Sequence, residues 1–597
     1  MRKLAFLLVA VLAVGACDKT EGDDILEPVP PTSKPLGSPP DYGSTVRAAT
    51  PPPPISGGTL HVTKDGAFAV VADPERDRLS IVELATRAVR HVPLGAQAEP
   101  GRIVEDEAGR VHVALRRAGT VATVRISDGV VEAKRPVCPA PRGIALDPAS
   151  KQLVVVCVGG EVVDLPLDVA QAAKLRVRMV PDLRDVVVTP TKTFVSTFRA
   201  ARVYELTPGA TDPLPSPLPM AMFKTPLGPM TASVGWRMRP FDGGAVLVHQ
   251  IALDPGMPVS TGPGGYGGGD QKDCTGSIVQ SQLSVLGGAG SRFFSPIPAA
   301  VLPVDVAASS SELVVVAAGN AKNRDTPQLI RVRTSGSSAF CEKGLPMAAP
   351  PGQAVAVAFG GERWFVQTRE PAALHVYDAD VTKAPATIPL ATDSFADTGH
   401  LVFHANSGNF LACASCHPEG GDDGRTWNFA DLGPRRTQSF RGGFLKTAPF
   451  HWDGDMRDLR ALTDAVLTGR MSGPKLDAAQ LDALGAWLDA VPALPTPAVT
   501  KGSVEAGATL FADRGCAKCH AGATTTTNAN VDVGTGGAFQ VPSLRGVFYR
   551  APYMHTGCVQ TLADRFTAGC AGGDLHGKTS GLSATQIDDL VAYLSTR

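Results

Sequence analysis

At 597 residues the chain is too long for one ordinary hydrophobic core and predicts several domains. Its 56 Lys and Arg are balanced by 57 Asp and Glu, which gives no general electrostatic reason to bind nucleic acid or an anionic membrane surface. Neither partner is expected.

The first residues have the layout of an export signal. Arg2 and Lys3 precede an apolar run, Leu4 to Val14, that is too short to span a bilayer comfortably. The run ends in Val14-Gly15-Ala16-Cys17, which resembles the bacterial lipoprotein box. That resemblance implies a signal peptide over residues 1–16 and a lipid on Cys17, the only membrane contact expected, at the cell envelope on its periplasmic or outer surface. Residues 17–56 are rich in Pro, Asp and Gly, include Pro51 to Pro54 and lack an apolar period, so they predict a tether. Of eleven Cys, one is this anchor and four belong to two Cys-x-x-Cys-His motifs in the C-terminal third. The remainder is an even number in an oxidising compartment, as disulfides require. Proximity pairs Cys138 with Cys157, Cys274 with Cys341 and Cys558 with Cys570, although spacing alone leaves the connectivity open.

Over residues 57–392, short Val, Ile, Leu and Ala runs alternate with Asp-Gly, Asp-Pro and Gly-Gly turns, the pattern of strands. A small-residue, apolar-run, turn, apolar-run phrase begins near Gly58, Gly101, Gly143 and Asp185, a step of 42 or 43 residues. Four short strands per step is the signature of blades that bury their faces only by stacking around a ring, so a β-propeller of about seven blades is expected, similar to the YVTN-type propellers. Later units, near Val304 and Ala354, are less regular. The glycine-rich insertion Gly262 to Asp270 lacks a strand-to-helix transition and reads as a surface loop. Propellers of quinoprotein dehydrogenases repeat a Trp motif, but only Trp236 and Trp364 lie in this region. His61, His91, His112, His249 and His375 are scattered and read as structural.

Cys413-Ala-Ser-Cys416-His417 and Cys516-Ala-Lys-Cys519-His520 match the attachment motif for c-type haem. On one helical turn both thiols face the same side and can add to the vinyl groups, while the adjacent imidazole reaches the iron. A zinc site built from two Cys pairs is the weaker reading, because each pair carries its own His.

The stretch downstream of the first motif recurs downstream of the second. Ser439-Phe-Arg441-Gly442 and Ala448-Pro-Phe-His451-Trp452-Asp453-Gly454 reappear as Ser543-Leu-Arg545-Gly546 and Ala551-Pro-Tyr-Met554-His555-Thr-Gly557. Asp477 with Gln480, and Ser583 with Gln586, then open equivalent amphipathic helices as N-cap pairs. Two mainly α cytochrome c-like domains are therefore expected, 393–492 and 498–597, with Pro492, Pro495 and Pro497 at the seam. For the sixth iron ligands, Met471 and His576 occupy equivalent loops before the last helix, and both are usual axial donors. His451 and Met554 form a competing aligned pair, with His404 and His555 as further candidates. Arg441 and Arg545, one per copy, suit the haem propionates because guanidinium grips a carboxylate with two bonds. Arg435 and Arg436 are candidates for the same task.

Residues 395–597, with Gly433-Pro434-Arg435, Trp452-Asp453-Gly454 and Ala551-Pro552-Tyr553-Met554-His555, resemble the bacterial di-haem cytochrome c peroxidase and MauG family. The resemblance implies two covalent haems c, electron entry at the C-terminal haem and peroxide reduction at the N-terminal one. Three positions depart from the pattern. The family's displaceable His before Gly-Pro-Arg is replaced by Trp427-Asn-Phe-Ala430. Its peroxide-handling Gln and Glu are missing from a stretch that contains Leu462 and ends Arg470-Met471-Ser472. Its calcium-binding Asn is Arg436, which puts an interdomain calcium in question. Trp427 and Trp452 are candidates to lie between the haems.

The expected fold is thus multidomain, an N-terminal all-β propeller followed by two mainly α haem domains. The leading functional reading is an envelope-anchored di-haem electron-transfer protein whose propeller docks a redox partner protein. Its rivals are a peroxidase or MauG-like oxidase using hydrogen peroxide, and a propeller-based binding protein whose haems sense redox state.

Overall fold

A computed structural model describes residues 37–207, 217–267, 276–288, 290–335 and 344–597. The expected signal peptide, Cys17, the Cys274–Cys341 pair and the end of the glycine-rich insertion lie outside these residues. Among those described, seven propeller sheets succeed one another at residues 60–93, 100–136, 141–178, 183–206, 223–293, 303–333 and 354–389, here called blades 1 to 7. The innermost strands of the first four begin at Leu60, Pro100, Pro141 and Leu183, where the sequence phrase recurs. Alternation along a strand sends successive side chains to opposite faces. In blade 1, Val71 therefore packs with Phe365 and Leu374 of blade 7, while Val70 packs with Ile103 and Val111 of blade 2. Each such side chain contributes about 1.5–3 kcal/mol.

The ring closes between blades 7 and 1. Gln367 accepts from Thr59 Oγ1 (2.7 Å) and donates to the Ala72 carbonyl (3.0 Å). Gly360 is needed there, since a Cβ would stand 2.7 Å from Val62 Cγ1. Blade 5 is the irregular one. Its strands Gly228–Phe241 and Gly244–Leu253 are 14 and 10 residues long, and they feed an arm whose strand Pro258–Val259 pairs in parallel with Thr426–Phe429 outside the propeller. The scattered histidines are tied into the blades: His112 to Asp106 and Thr123, His249 to Ser284, His375 to Thr368 and Thr387.

Six helices come next: α1 (Thr398–His404), α2 (Cys413–Cys416), α3 (Leu459–Thr463), α4 (Ala478–Ala490), α5 (Val504–Asp513) and α6 (Ala584–Ser595). In each of the two helical units the first helix crosses the last, α1 on α4 and α5 on α6. Asp477 with Gln480, and Ser583 with Gln586, form complete capping boxes at α4 and α6. The crossings depend on Gly399 and Gly507, because a Cβ at either would run into the backbone carbonyl of Ala483 or Asp589. Gly507→Ala is accordingly expected to cost about 1–3 kcal/mol by overpacking. Calorimetry would register this as a lower unfolding midpoint for the second haem domain with the propeller transition unmoved; an unmoved second domain would sink this account of the crossing. No helix among the described residues is long and apolar enough to cross a membrane. Cys138 is bonded to Cys157 and Cys558 to Cys570.

Residues 37–56, expected as the end of a tether, are packed against both halves of the molecule. Val46 and Thr398 exchange hydrogen bonds, and Ala48 N donates to Asp397. Ile55 N donates to His404 Nε2, and Pro52 accepts from the Trp487 indole. Ser38 N meanwhile donates to Asp325 of the propeller. Proline removes donors but leaves every carbonyl available, so an extended Pro-rich strap can be held by side chains from its neighbours.

Candidate haem-binding sites

The second motif sits on a single turn, with His520 N bonded to the Cys516 carbonyl (3.0 Å) and both thiols free. His520 Nδ1 donates to the Thr525 carbonyl (3.3 Å), which leaves Nε2 as the metal-binding nitrogen. Across the cavity, His576 Nδ1 is held in the same way by the Ala571 carbonyl (3.2 Å). The two ring centres are 6.3 Å apart with planes 33° from parallel. An iron bonded to two imidazoles at about 2 Å sets ring centres about 6 Å apart. Burial lowers the pKa of His520 to about 4 and that of His576 to about 3, so both rings are neutral, the form that ligates metal. A cavity of about 470 Å³ opens here, lined by Cys516, Cys519, His520, His576, Phe511 and Leu562 among others. Donor set and space fit a haem c.

At the first motif, α2 carries both thiols and His417 N bonds to the Cys413 carbonyl (2.9 Å). His417 Nδ1 is 3.4 Å from the Gly421 carbonyl, and its ring packs on Phe440 at 4.4 Å. Burial lowers His417 to about 4, raises Cys413 to about 12 and holds Cys416 well above the ordinary thiol range. Met471 is 3% exposed and shares a core cluster with Leu467, Leu476 and Cys413. It comes directly after a π-helical segment, Asp464–Arg470, and its carbonyl accepts from Ser407 Oγ (2.9 Å). This loop is the duplicate of the one that brings His576 opposite His520.

The competing pair is superposable too. His451 and Met554 have φ of +67° and +69° and both line the large cavity; His451 Nδ1 lies 3.3 Å from Asp455. His404 uses both ring nitrogens on backbone groups, Ile55 N and the His400 carbonyl, and so serves the strap. His555 stacks on Phe539 at 4.0 Å.

Arg441 and Arg545 do equivalent work, but on backbone carbonyls. Arg441 donates to Glu419 (2.6 Å) and Pro492 (3.1 Å), and Arg545 to Ala523 (2.9 Å) and Gly442 (2.8 Å). Each thereby holds the loop just after its own haem motif. Arg435 pairs with Asp453, and buried Arg436 pairs with Asp422 at 2.7 Å. Among the described residues no group of three or more His, Cys, Asp or Glu is arranged to hold a metal ion. Trp427 is buried near Cys416 and donates to Thr437 Oγ1. Trp452 lies between the two helical domains, donating to the Arg436 carbonyl (2.7 Å), accepting from Gln540 N (2.7 Å) and facing His555 at 6.2 Å.

Sequence reasoning missed the propeller's share in the first site. Glu419, two residues after His417 and 1% exposed, enters a socket of propeller arginines: Arg184 at 2.6 Å, Arg116 at 2.9 Å and Arg142 at 3.6 Å. Gln250 of blade 5, itself held by the Trp236 indole (2.6 Å), donates to the Ser415 carbonyl inside the motif (2.8 Å). Arg199 of blade 4 reaches Asp422 (3.2 Å). No local spacing signals any of these contacts. The first motif is thus covered by the propeller, with Ala414 and Ser415 buried, whereas Ala517 and Lys518 of the second are exposed.

Fold and site together define a propeller joined to a c-type cytochrome. Residues 504–597 match the family model Cytochrome c, which implies covalently bound haem c in this domain. A search of curated proteins finds no match. Among solved structures, the chain is similar to hydrazine synthase of Kuenenia stuttgartiensis (13% identity, 57% of this chain and 99% of that one, TM-score 0.43). It is also similar to virginiamycin B lyase from Staphylococcus aureus (12%, 55% and 95%, 0.38) and to the dihydro-heme d1 dehydrogenase NirN (16%, 56% and 66%, 0.35). At these scores the likeness carries nothing about activity, which rests on the chain's own residues.

Proposed function

We propose that this chain is a di-haem c-type cytochrome of the bacterial envelope, anchored through Cys17, that exchanges electrons with a redox partner protein. The observation that carries the reading is the His520–His576 pair, whose rings stand 6.3 Å apart and would together hold a haem iron from both sides. Bound haem would supply reversible one-electron exchange at each motif. The protein's residues hold the imidazoles in one tautomer, exclude water from the first site with the propeller, and leave the edge of the second open. Leu575, 74% exposed next to His576, and the exposed Lys518 and Lys578 support this edge as the proposed contact for the partner. One propeller face is taken up by the haem domains, so a docking role for the propeller falls to its other face.

A peroxide-reducing enzyme needs an open iron and a side chain that delivers protons. Met471, if it ligates, would close the first iron, and Arg470, at the end of the family's acid–base stretch, is engaged with Tyr266 (3.1 Å). Stepwise reduction of the holoprotein, monitored by absorption and EPR with peroxide added to the half-reduced form, tests the reading. Two haems per chain, both low-spin and unaffected by peroxide, are expected. A high-spin haem that peroxide rapidly reoxidises would overturn it in favour of the enzyme.

A further inference from the structure

The arm of blade 5 reaches across to the loop that carries Met471. Gly264 N donates to the Gly469 carbonyl (2.8 Å) and Tyr266 N to the Arg470 carbonyl (3.0 Å), so two successive peptide groups just ahead of Met471 are bonded to the propeller. Side chains reinforce the backbone. Arg470 Nη1 donates to the Tyr266 hydroxyl (3.1 Å), and its guanidinium lies beside the neighbouring Tyr266 and Phe429 rings, 5.9 and 5.6 Å from their centres. The base of the arm is fixed in turn, by the parallel pairing of Pro258–Val259 with Thr426–Phe429 and by Ile278 N donating to the Tyr266 carbonyl (3.0 Å). Immediately before Met471 the chain adopts a π-helical segment, wider than an α-helix and seldom stable unless its surroundings hold it.

We infer that the blade 5 arm is the clamp that holds Met471 as sixth ligand of the first haem, with Tyr266 and Arg470 as positioning residues. The inference rests on the assignment of Met471 to the iron bound by His417. Methionine binds haem iron weakly and raises its potential, so the loop that presents it must be held from outside. At the second site the corresponding loop presents a histidine and, among the described residues, makes no hydrogen bond to the propeller, being held instead by Arg565 on the His576 carbonyl and by Asp574 on Thr579 N. Through the clamp, a displacement of the propeller becomes a change of iron coordination.

The test uses the full-length holoprotein and reads the near-infrared methionine–iron charge-transfer band, the EPR spin state and the two midpoint potentials. Met471→Leu should abolish the band. Tyr266→Ala should reduce it by about half or more and lower the first haem's potential, while the low-spin bis-histidine signal of the second haem stays unchanged as the internal control for folding. Tyr266→Phe, which keeps the ring and the backbone bonds, should retain most of the band. If Met471→Leu abolishes the band but Tyr266→Ala and Arg470→Ala leave it and the potential at wild-type values, the clamp is wrong and the ligand assignment stands. If Met471→Leu leaves the spectrum unchanged, the assignment fails and the clamp falls with it.

Discussion

His576→Ala is expected to convert the second haem completely from low-spin to high-spin, with both thioether attachments intact. His520 stays on one face of the iron through its Thr525-bonded tautomer, and removal of the imidazole 6.3 Å away leaves the other face to water or to added carbon monoxide. The effect should be large because the remaining cavity walls offer few donors. Phe511, Leu562 and Phe566 are apolar, and the His and Met side chains left in the same cavity are His451, Met554 and His555. EPR of the oxidised protein and carbon monoxide binding to the reduced one read the result. An unchanged spectrum would show that His576 is not the ligand, and His451→Ala, Met554→Leu and His555→Ala would then identify which of the competing residues is.

Glu419→Gln is expected to destabilise the propeller–haem domain unit by about 3–5 kcal/mol, the usual cost of removing one partner from a buried ion pair. Arg184 and Glu419 are each 1% exposed, and Arg116 and Arg142 complete a socket that loses its only close carboxylate from the haem domain. Burial by itself raises the pKa of a carboxyl, but the surrounding arginines, Arg116 and Arg184 foremost, outweigh it and hold Glu419 well below its ordinary value of 4.5. A depressed folded pKa means that the stabilisation is fully present above about pH 4.5 and is lost only as pH falls further through the folded value. The gap between wild type and variant should therefore be constant from neutral pH down to about 4.5 and narrow at more acidic pH. Guanidinium unfolding monitored by tryptophan fluorescence measures the gap, with exposed Glu107→Gln as a control expected to change stability by no more than about 0.5 kcal/mol. A Glu419→Gln cost as small as the control's would mean that the arginine socket does not hold the domains together.

The range of each interaction explains which features were legible in the sequence. A thioether attachment needs two thiols and an imidazole on one turn, so Cys413, Cys416, His417 and their duplicates are visible in five consecutive letters. A propeller blade is a local unit of paired neighbours, so its period survived in Gly58, Gly101, Gly143 and Asp185, and the expectation of about seven blades meets seven propeller sheets among the described residues. Helix caps are local as well, hence Asp477 and Ser583. The matching of Arg441 and Arg545 was visible because the domains are duplicates; that they grip backbone carbonyls was not, because an arginine's partner is not written beside it.

By itself, then, the sequence determined the fold classes, the haem motifs, the internal duplication and the candidate pairs of axial ligands, all of which depend on residues within one turn, one blade or one repeat. Only the tertiary structure decided that His576 faces His520, that the Pro-rich strap binds Thr398, His404 and Trp487, and that the propeller grips the first helical domain through Glu419, Ser415 and Arg470. The strap's and the propeller's contacts join residues 165 to 435 positions apart. Such pairs leave no period in the sequence, because their partners stand in different structural units whose buried side chains merge into one core.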